Sequence, residues 1–223
     1  MGSADLESAL EGLWPFDPGS LPEGKRQIAD VLKDVLTALD SAQVRYILAG
    51  TMAYSLYARA RYTATVEIIV EREWTEKIRE IYTGLGFGLV RTDERQIDFV
   101  DPVAQAELRI RVATALLDRL AMRDCEIYSI FGVPTPVLKP EYLVALYAHS
   151  ATIQDFADAA TLMIEYSVNI PAVRQLLNDA NDAIGLLQLD HVLETLSHTR
   201  SSSYSKGVEA RLKRRLLARR IAV

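Results

Sequence analysis

The 223-residue sequence is poor in the side chains that bind metals through sulfur or imidazole. It contains one cysteine, Cys125, and three histidines. A single cysteine excludes an internal disulfide and any zinc site built from several cysteines. The histidines His149, His191 and His198 do not have the spacing of HExxH or a comparable ligand motif. We therefore expect neither a disulfide framework nor a zinc site.

Long apolar runs are also missing. No run approaches the ~20 residues that span a bilayer, and the first residues, MGSADLESALEGLW, carry acids where a signal peptide carries basic residues. Apolar residues make up 49% of the chain and charged residues 25%, which is typical of globular proteins. The composition predicts a cytoplasmic protein without a membrane span.

The charge is unevenly distributed. The net charge is −5, but residues 200–223 contain eight basic residues and one acid. The preceding chain is therefore strongly acidic, which is not typical of a protein that binds nucleic acid over its whole surface. The tail VEARLKRRLLARRIAV has the pattern of a basic amphipathic helix, and it could bind RNA, DNA, an acidic partner or an anionic membrane. We favour docking on its own chain or on a second subunit, which predicts a protein partner or a homo-oligomer.

Apolar periodicity predicts an α/β fold with a mixed sheet, followed by helices. A one-face stripe from Ile28 to Leu39 predicts a helix, and TVEIIV at 65–70 predicts a buried strand. Further strands are expected at 44–48, 87–91, 96–100, 107–112, 126–131 and 135–138, and four helices follow Pro140. The predicted regions are an N-terminal extension (1–24), the α/β domain (25–139), a helical region (140–200), and a linker with a basic terminal helix (201–223).

The segment 44–70, VRYILAGTMAYSLYARARYTATVEIIV, resembles the opening of nucleotidyltransferase-superfamily domains. The bacterial minimal and toxin–antitoxin-associated branches are the most similar. They show a strand, a glycine-containing turn, a short helix and then an Arg-x-Thr-x-Asp-x-Asp-like strand. Arg61 and Thr63 match the arginine and threonine, and the two acids fall at Thr65 and Glu67.

This resemblance implies a nucleoside triphosphate substrate and Mg²⁺ held by carboxylates. Glu67 is the implied metal ligand and a catalytic acid, and a third acid is expected at Glu107 or at Asp98. The strands 65–70 and 107–112 should then be neighbours, with Glu67 directed at a cleft beside the glycine turn. The implied nucleotide-binding residues are Gly50, Thr51, Arg61, Thr63 and Thr65. The turn at Gly50 and Thr51 can equally be an ordinary strand–helix junction.

The acid motif departs from the family pattern. Thr65 has a neutral hydroxyl in place of a carboxylate, and Glu67 is longer than aspartate by one methylene. If Arg109 occupies the third position, it brings a cation to the place of the metal. Glu67 is then either a residual ligand or a buried acid paired with an arginine. We favour local ion pairs over an anion-binding pocket for the nearby arginines, Arg59, Arg61, Arg109 and Arg111.

These observations lead to three hypotheses on function. The first is a catalytically degenerate or weak nucleotidyltransferase-fold protein, of the toxin–antitoxin or abortive-infection type, in which nucleotide binding can persist. The second is a non-enzymatic interaction protein that acts through the basic C-terminal helix. The third is an active Mg²⁺-dependent nucleotidyltransferase that uses Glu67 with Asp98 or Glu107.

Overall fold

The computed structural model describes residues 26–58, 63–150 and 152–199. The chain divides into two compact units, with the boundary in the sequence between Lys139 and Pro140. In the described residues, the strands lie in the first unit and the second unit is helical. The predicted N-terminal extension and the predicted basic terminal helix lie outside these residues.

Seven strands form one mixed sheet in the described part of the first unit. They are β1 (Tyr46–Ala49), β2 (Thr65–Val70), β3 (Gly88–Thr92), β4 (Gln96–Asp101), β5 (Ala106–Val112), β6 (Cys125–Ile130) and β7 (Val133–Leu138). In space their order is β3-β4-β5-β2-β1-β7-β6. β2 is parallel to β5, β1 is parallel to β7, and the other neighbours are antiparallel. The predicted mixed α/β fold is confirmed.

The described part of the first unit also contains four α-helices. They are α1 (Ile28–Ser41), α2 (Gly50–Tyr57), α3 (Thr75–Gly84) and α4 (Leu116–Ala121). α1 buries the stripe that the sequence predicted, and it contacts β2, β7 and α3. Tyr82 of α3 packs edge-on against Phe87 and Phe99, with ring centroids 5.7 and 5.4 Å apart.

The strands β4 and β5 each have one apolar and one polar face. Ile97 and Phe99 of β4 are buried, and so are Leu108 and Ile110 of β5. Because side chains alternate along a strand, the residues between them point to the opposite face. That face carries charged and polar side chains: Gln96, Asp98, Glu107, Arg109 and Arg111.

β7 begins at Val133, two residues earlier than the sequence predicted. Pro134 and Pro136 interrupt the usual strand pattern, yet they lie opposite Ser129 and Ile127 of β6. They occupy alternate positions, so their missing N–H groups fall on one side of the strand. The N–H groups of the intervening residues remain free to pair on the other side.

The second unit consists of α5 (Pro140–Ser150), α6 (Ile153–Glu165), α7 (Ile170–Asp179) and α8 (Ala183–Thr199), as expected from four helical segments. α5 contacts the other three helices. Thr152 caps α6 by accepting a hydrogen bond from the Asp155 N–H, and Asn169 caps α7 in the same way. None of the helices within the described ranges has the length and apolar character of a membrane span.

Candidate functional site

The turn between β1 and α2 brings the backbone against Glu67 of β2. Gly50 has a φ of +61°, in the left-handed region that favours glycine. Ala49 lies opposite Glu67 in the β1–β2 pair, and a Cβ on Gly50 would lie 2.9 Å from Glu67 Oε2. The group that approaches this glycine closely is therefore a side chain of the protein itself.

Glu67 and both candidates for the third acid share one area of the polar sheet face. β2 and β5 are adjacent, with Thr65 opposite Glu107 and Glu67 opposite Arg109. Asp98 of β4 lies opposite Arg109 on the other side. The predicted adjacency of the two strands is confirmed. The position across from Glu67 holds an arginine rather than an acid.

Arg109 lies among these three carboxylates. Its Nη1 is 4.0 Å from Glu67 Oε2, its Nε is 3.7 Å from Asp98 Oδ1, and its Nη2 is 3.6 Å from Glu107 Oε2. The side chain is 40% exposed. Ion pairs that remain in contact with water contribute roughly 1 kcal/mol or less each. Arg109 therefore neutralises the cluster without holding any acid in a tight geometry.

Arg111 makes shorter contacts with more deeply buried acids. Its Nη2 donates a hydrogen bond of 2.8 Å to Glu67 Oε1, and its Nη1 is 3.5 Å from Asp118 Oδ1. The Glu67 and Asp118 side chains are only 12% and 5% exposed. A charge-assisted hydrogen bond is stronger than a neutral one, and burial reduces its screening by water. Arg111 thus links β2, β5 and α4.

Asp118 is a member of this cluster that the sequence reasoning missed. It lies on α4, where its neighbours Leu117 and Ala121 are also buried. Aspartate is rarely buried without a partner. An acid beside the apolar residues Leu117 and Ala121 was therefore the signal available in the sequence.

The remaining predicted residues make local contacts. Thr63 Oγ1 accepts a hydrogen bond from the Thr65 N–H at 3.1 Å, just before β2. The Thr51 carbonyl accepts from Ser55 Oγ at 2.8 Å within α2. Thr65 Oγ1 lies 3.4 Å from Glu107 Oε2.

Two of the predicted arginines, Arg59 and Arg61, lie outside the described residues.

The carboxylate of Asp98 accepts a hydrogen bond from Gln96 Nε2, and both carboxylate oxygens lie 2.8 Å from that nitrogen. Glu67, Asp98 and Glu107 are therefore brought together, but around a guanidinium group.

The side chains of this cluster do not fit the divalent metal that the resemblance implies. Mg²⁺ prefers an octahedron of oxygen ligands that includes carboxylates, but Thr65 supplies no charge here. Glu67 already faces two guanidinium groups. Across the described ranges, no three His, Cys, Asp or Glu side chains form a group that could hold a metal ion.

No family model and no curated protein matches the sequence. The solution structure of the antibiotic-resistance factor ANT(2'')-Ia is similar, with a TM-score of 0.56 and 14% identity over 73% of this chain and 96% of that one. A nucleotidyltransferase-like antigenic protein from Paracoccidioides brasiliensis gives a TM-score of 0.52 and 16% identity, over 82% and 93% of the two chains. Such identities establish the fold alone. The chain therefore has the mixed α/β fold of the nucleotidyltransferases.

Proposed function

We propose that this chain is a nucleotidyltransferase-fold protein whose cleft does not catalyse Mg²⁺-dependent nucleotidyl transfer. The observation that carries the proposal is the placement of two arginines around Glu67, the one acid that β2 retains. Glu67 Oε1 lies 2.8 Å from Arg111, and Glu67 Oε2 lies 4.0 Å from Arg109. Each oxygen of the Glu67 carboxylate therefore faces a guanidinium group.

The electrostatics of this arrangement oppose a divalent ion. Two unit charges 4 Å apart interact by about 4 kcal/mol at an effective dielectric constant of 20. A divalent ion at that distance from one guanidinium group meets a repulsion of about 8 kcal/mol, which cancels the attraction of one carboxylate at the same distance. The two guanidinium groups therefore offset two of the nearby carboxylates, and Thr65 supplies no further negative charge. Poor ion placement weakens both nucleophile activation and leaving-group stabilisation.

The same cluster disfavours a triphosphate. Without metal ions, phosphate oxygens at the Gly50–Thr51 turn would approach the Glu67 carboxylate, which lies against Gly50. Asp98 and Glu107 add further negative charge to this face, and Arg109 lies between them. We therefore propose that binding of a nucleoside triphosphate at this turn is weak.

A transfer assay with labelled nucleoside triphosphates and Mg²⁺ or Mn²⁺ tests this function. We expect no transfer to protein, nucleic-acid or small-molecule acceptors above the level of the Glu67→Ala variant. A matched control is Glu126→Ala, because Glu126 lies on β6 and its carboxylate accepts from the Tyr128 hydroxyl. Robust transfer by the wild type that Glu67→Ala abolishes and Glu126→Ala leaves intact would refute the proposal.

A protein with such a cleft would act by binding rather than by catalysis. The sequence resemblance to toxin–antitoxin branches and the basic segment 200–223 favour a component of a toxin–antitoxin or abortive-infection pair. Size-exclusion chromatography after co-expression with the product of the neighbouring reading frame tests for that partner. A salt titration of RNA and DNA binding tests the alternative, because contacts with phosphates weaken steeply as salt rises.

A further inference from the structure

Three large apolar side chains are exposed at one end of the second unit. Ile153 of α6 is 93% exposed, and Ile184 and Leu187 of α8 are 64% and 67% exposed. His149 Nδ1, near the end of α5, lies 2.7 Å from Asp182 Oδ2, just before α8. Because α6 begins at Ile153, soon after α5 ends, the three side chains lie at the same end of the unit. We call them the α8 patch; single exposed apolar residues are ordinary, but a group of them marks an interaction site.

The exposed face of α8 continues beyond the patch and becomes polar. Leu187, His191 and Glu194 are exposed, and their spacing of four and three residues places them on one side of the helix. Phe156 of α6 packs against His191, with ring centroids 5.1 Å apart, so the two helices are neighbours here. An apolar end followed by an acid suits an amphipathic helix that carries apolar and basic residues.

The charge of the second unit indicates the sign of such a helix. Residues 140–199 contain eight acids and one arginine, a net charge of −7, whereas residues 1–139 have a net charge of −5 over more than twice the length. The basic segment 200–223, with eight basic residues and one acid, has a net charge of +7. Opposite charge draws the basic segment toward the more densely acidic part of the chain.

The basic segment is also tethered within reach of the patch. α8 ends at Thr199, and the eight residues 200–207 precede the segment 208–223. Eight residues span up to about 26 Å when extended. Leu187 and Thr199 are about 18 Å apart along the helix axis. The chain can therefore turn back after α8 and return to the patch.

The segment 208–223 carries apolar residues at a spacing that fits this face. Val208, Leu212 and Leu216 recur every four residues, and arginines and one lysine separate them from Ile221 and from one another. This spacing is typical of one face of a helix. A segment that returns along α8 would bring its last apolar residues to the end of the unit that bears the α8 patch.

We propose that the segment 208–223 docks on the α8 patch of its own chain, with its apolar residues against Ile184 and Leu187 and its arginines toward the acids of the second unit. The inference goes beyond the proposed function and does not depend on the cleft, since every group it uses belongs to the second unit. A short flexible tether gives the segment an effective concentration on the order of millimolar. A partner that binds the basic segment must therefore displace it from the patch.

Amide hydrogen exchange of the full chain, read by mass spectrometry at low salt, tests the docking. The samples are the wild type, the double variant Ile184→Glu/Leu187→Glu and a synthetic peptide of residues 208–223. In the wild type the segment should exchange about tenfold or more slowly than the peptide, because burial of even one leucine stabilises a closed state by that factor. In the double variant it should exchange at the rate of the peptide.

Val103→Glu is the matched control. Val103 is 63% exposed and lies in the turn between β4 and β5 of the first unit, and the variant should keep the slow exchange of the wild type. Exchange of the α5 amides in the same data reports whether the second unit is folded. If α5 loses protection in the double variant, Leu187→Gln replaces it, with a partial loss of protection expected in the segment.

A segment that exchanges in the wild type as fast as the peptide would overturn the proposal. Slow exchange that survives in the double variant would do the same, because the segment would then be covered elsewhere. Protection that disappears on dilution, together with a dimer in size-exclusion chromatography, would assign the segment to a second copy instead. Rising salt should weaken the protection, and protection that does not respond to salt would contradict the part assigned to charge.

Discussion

Gly50 and Glu67 constrain one another across the β1–β2 pair. The φ of +61° at Gly50 disfavours any residue with a Cβ, and a Cβ there would also lie 3.1 Å from the Cβ of Glu67. The glutamate is therefore packed from one side by backbone and held from the other by Arg111. Glutamate is longer by one methylene than the aspartate of the family pattern. This length lets the side chain pack against Gly50 and also reach Arg111.

Gly50→Ala should lower the free energy of unfolding by about 1–3 kcal/mol, because it adds strain at a positive φ and displaces the Glu67 carboxylate. Gly84→Ala is the matched control, since a Cβ at Gly84 meets nothing within 4 Å. It should be neutral or slightly stabilising. Urea unfolding of the two variants measures the difference, and equal midpoints would contradict the packing described for Gly50.

Cys125 should react slowly with thiol reagents at mildly alkaline pH. Burial raises the pKa of its thiol, an effect that outweighs the nearby positive charges of Lys139 and Arg45. Because the thiolate is the reactive form, the folded chain should react several-fold more slowly with DTNB than the chain unfolded in urea. With one cysteine in the sequence, the signal has a single source. Equal rates in the two states would show that the thiol is not protected.

At the scale of elements, the helices of the second unit begin at recognisable caps. Asn169 Oδ1 accepts from the Ala172 N–H at 3.2 Å, and Pro171 occupies the first turn of α7. Asparagine at this position satisfies one of the donors that every helix start leaves open. Pro171 supports the same start, because the fixed φ of proline suits a first helical turn.

Asn169→Ala should cost about 1 kcal/mol of stability, since alanine has no acceptor for the Ala172 N–H. Asn169→Asp keeps an acceptor oxygen and is the matched control, with an expected change near zero. Chemical unfolding followed by circular dichroism compares them. A loss of equal size in both variants would mean that the cap contributes nothing specific.

The positions of strands and helices were predictable because the spacing of apolar residues that indicates them repeats over a few neighbouring residues. The stripe in α1 and the β-branched run in β2 follow from neighbours within a few residues. The pairing of β2 with β5 was predicted from the resemblance. The link between Arg111 and Asp118 was not predicted, because it depends on how a loop places α4 after β5. Side-chain contacts of that kind arise from tertiary packing and leave no periodic signal.

At the scale of the whole molecule, the two faces of the sheet contribute differently to stability and to function. The apolar face, with Val66 and Ile68 of β2 and Leu108 and Ile110 of β5, is fully buried and supplies the stability of the fold. The opposite face bears the cleft, with its acids and arginines along β4, β5 and the start of β2. Acids and arginines can therefore replace one another there while the fold is retained, which is why the fold alone does not establish activity.

Calorimetric titration of MgCl₂ into the wild-type protein tests the central claim most directly, since the claim is that arginine has taken the place of the metal. The Glu67→Gln variant is titrated in parallel, with Glu126→Gln as the control remote from the cleft. The account predicts no saturable heat in any of the three proteins. Saturable Mg²⁺ binding by the wild type and by Glu126→Gln, lost in Glu67→Gln, would contradict it.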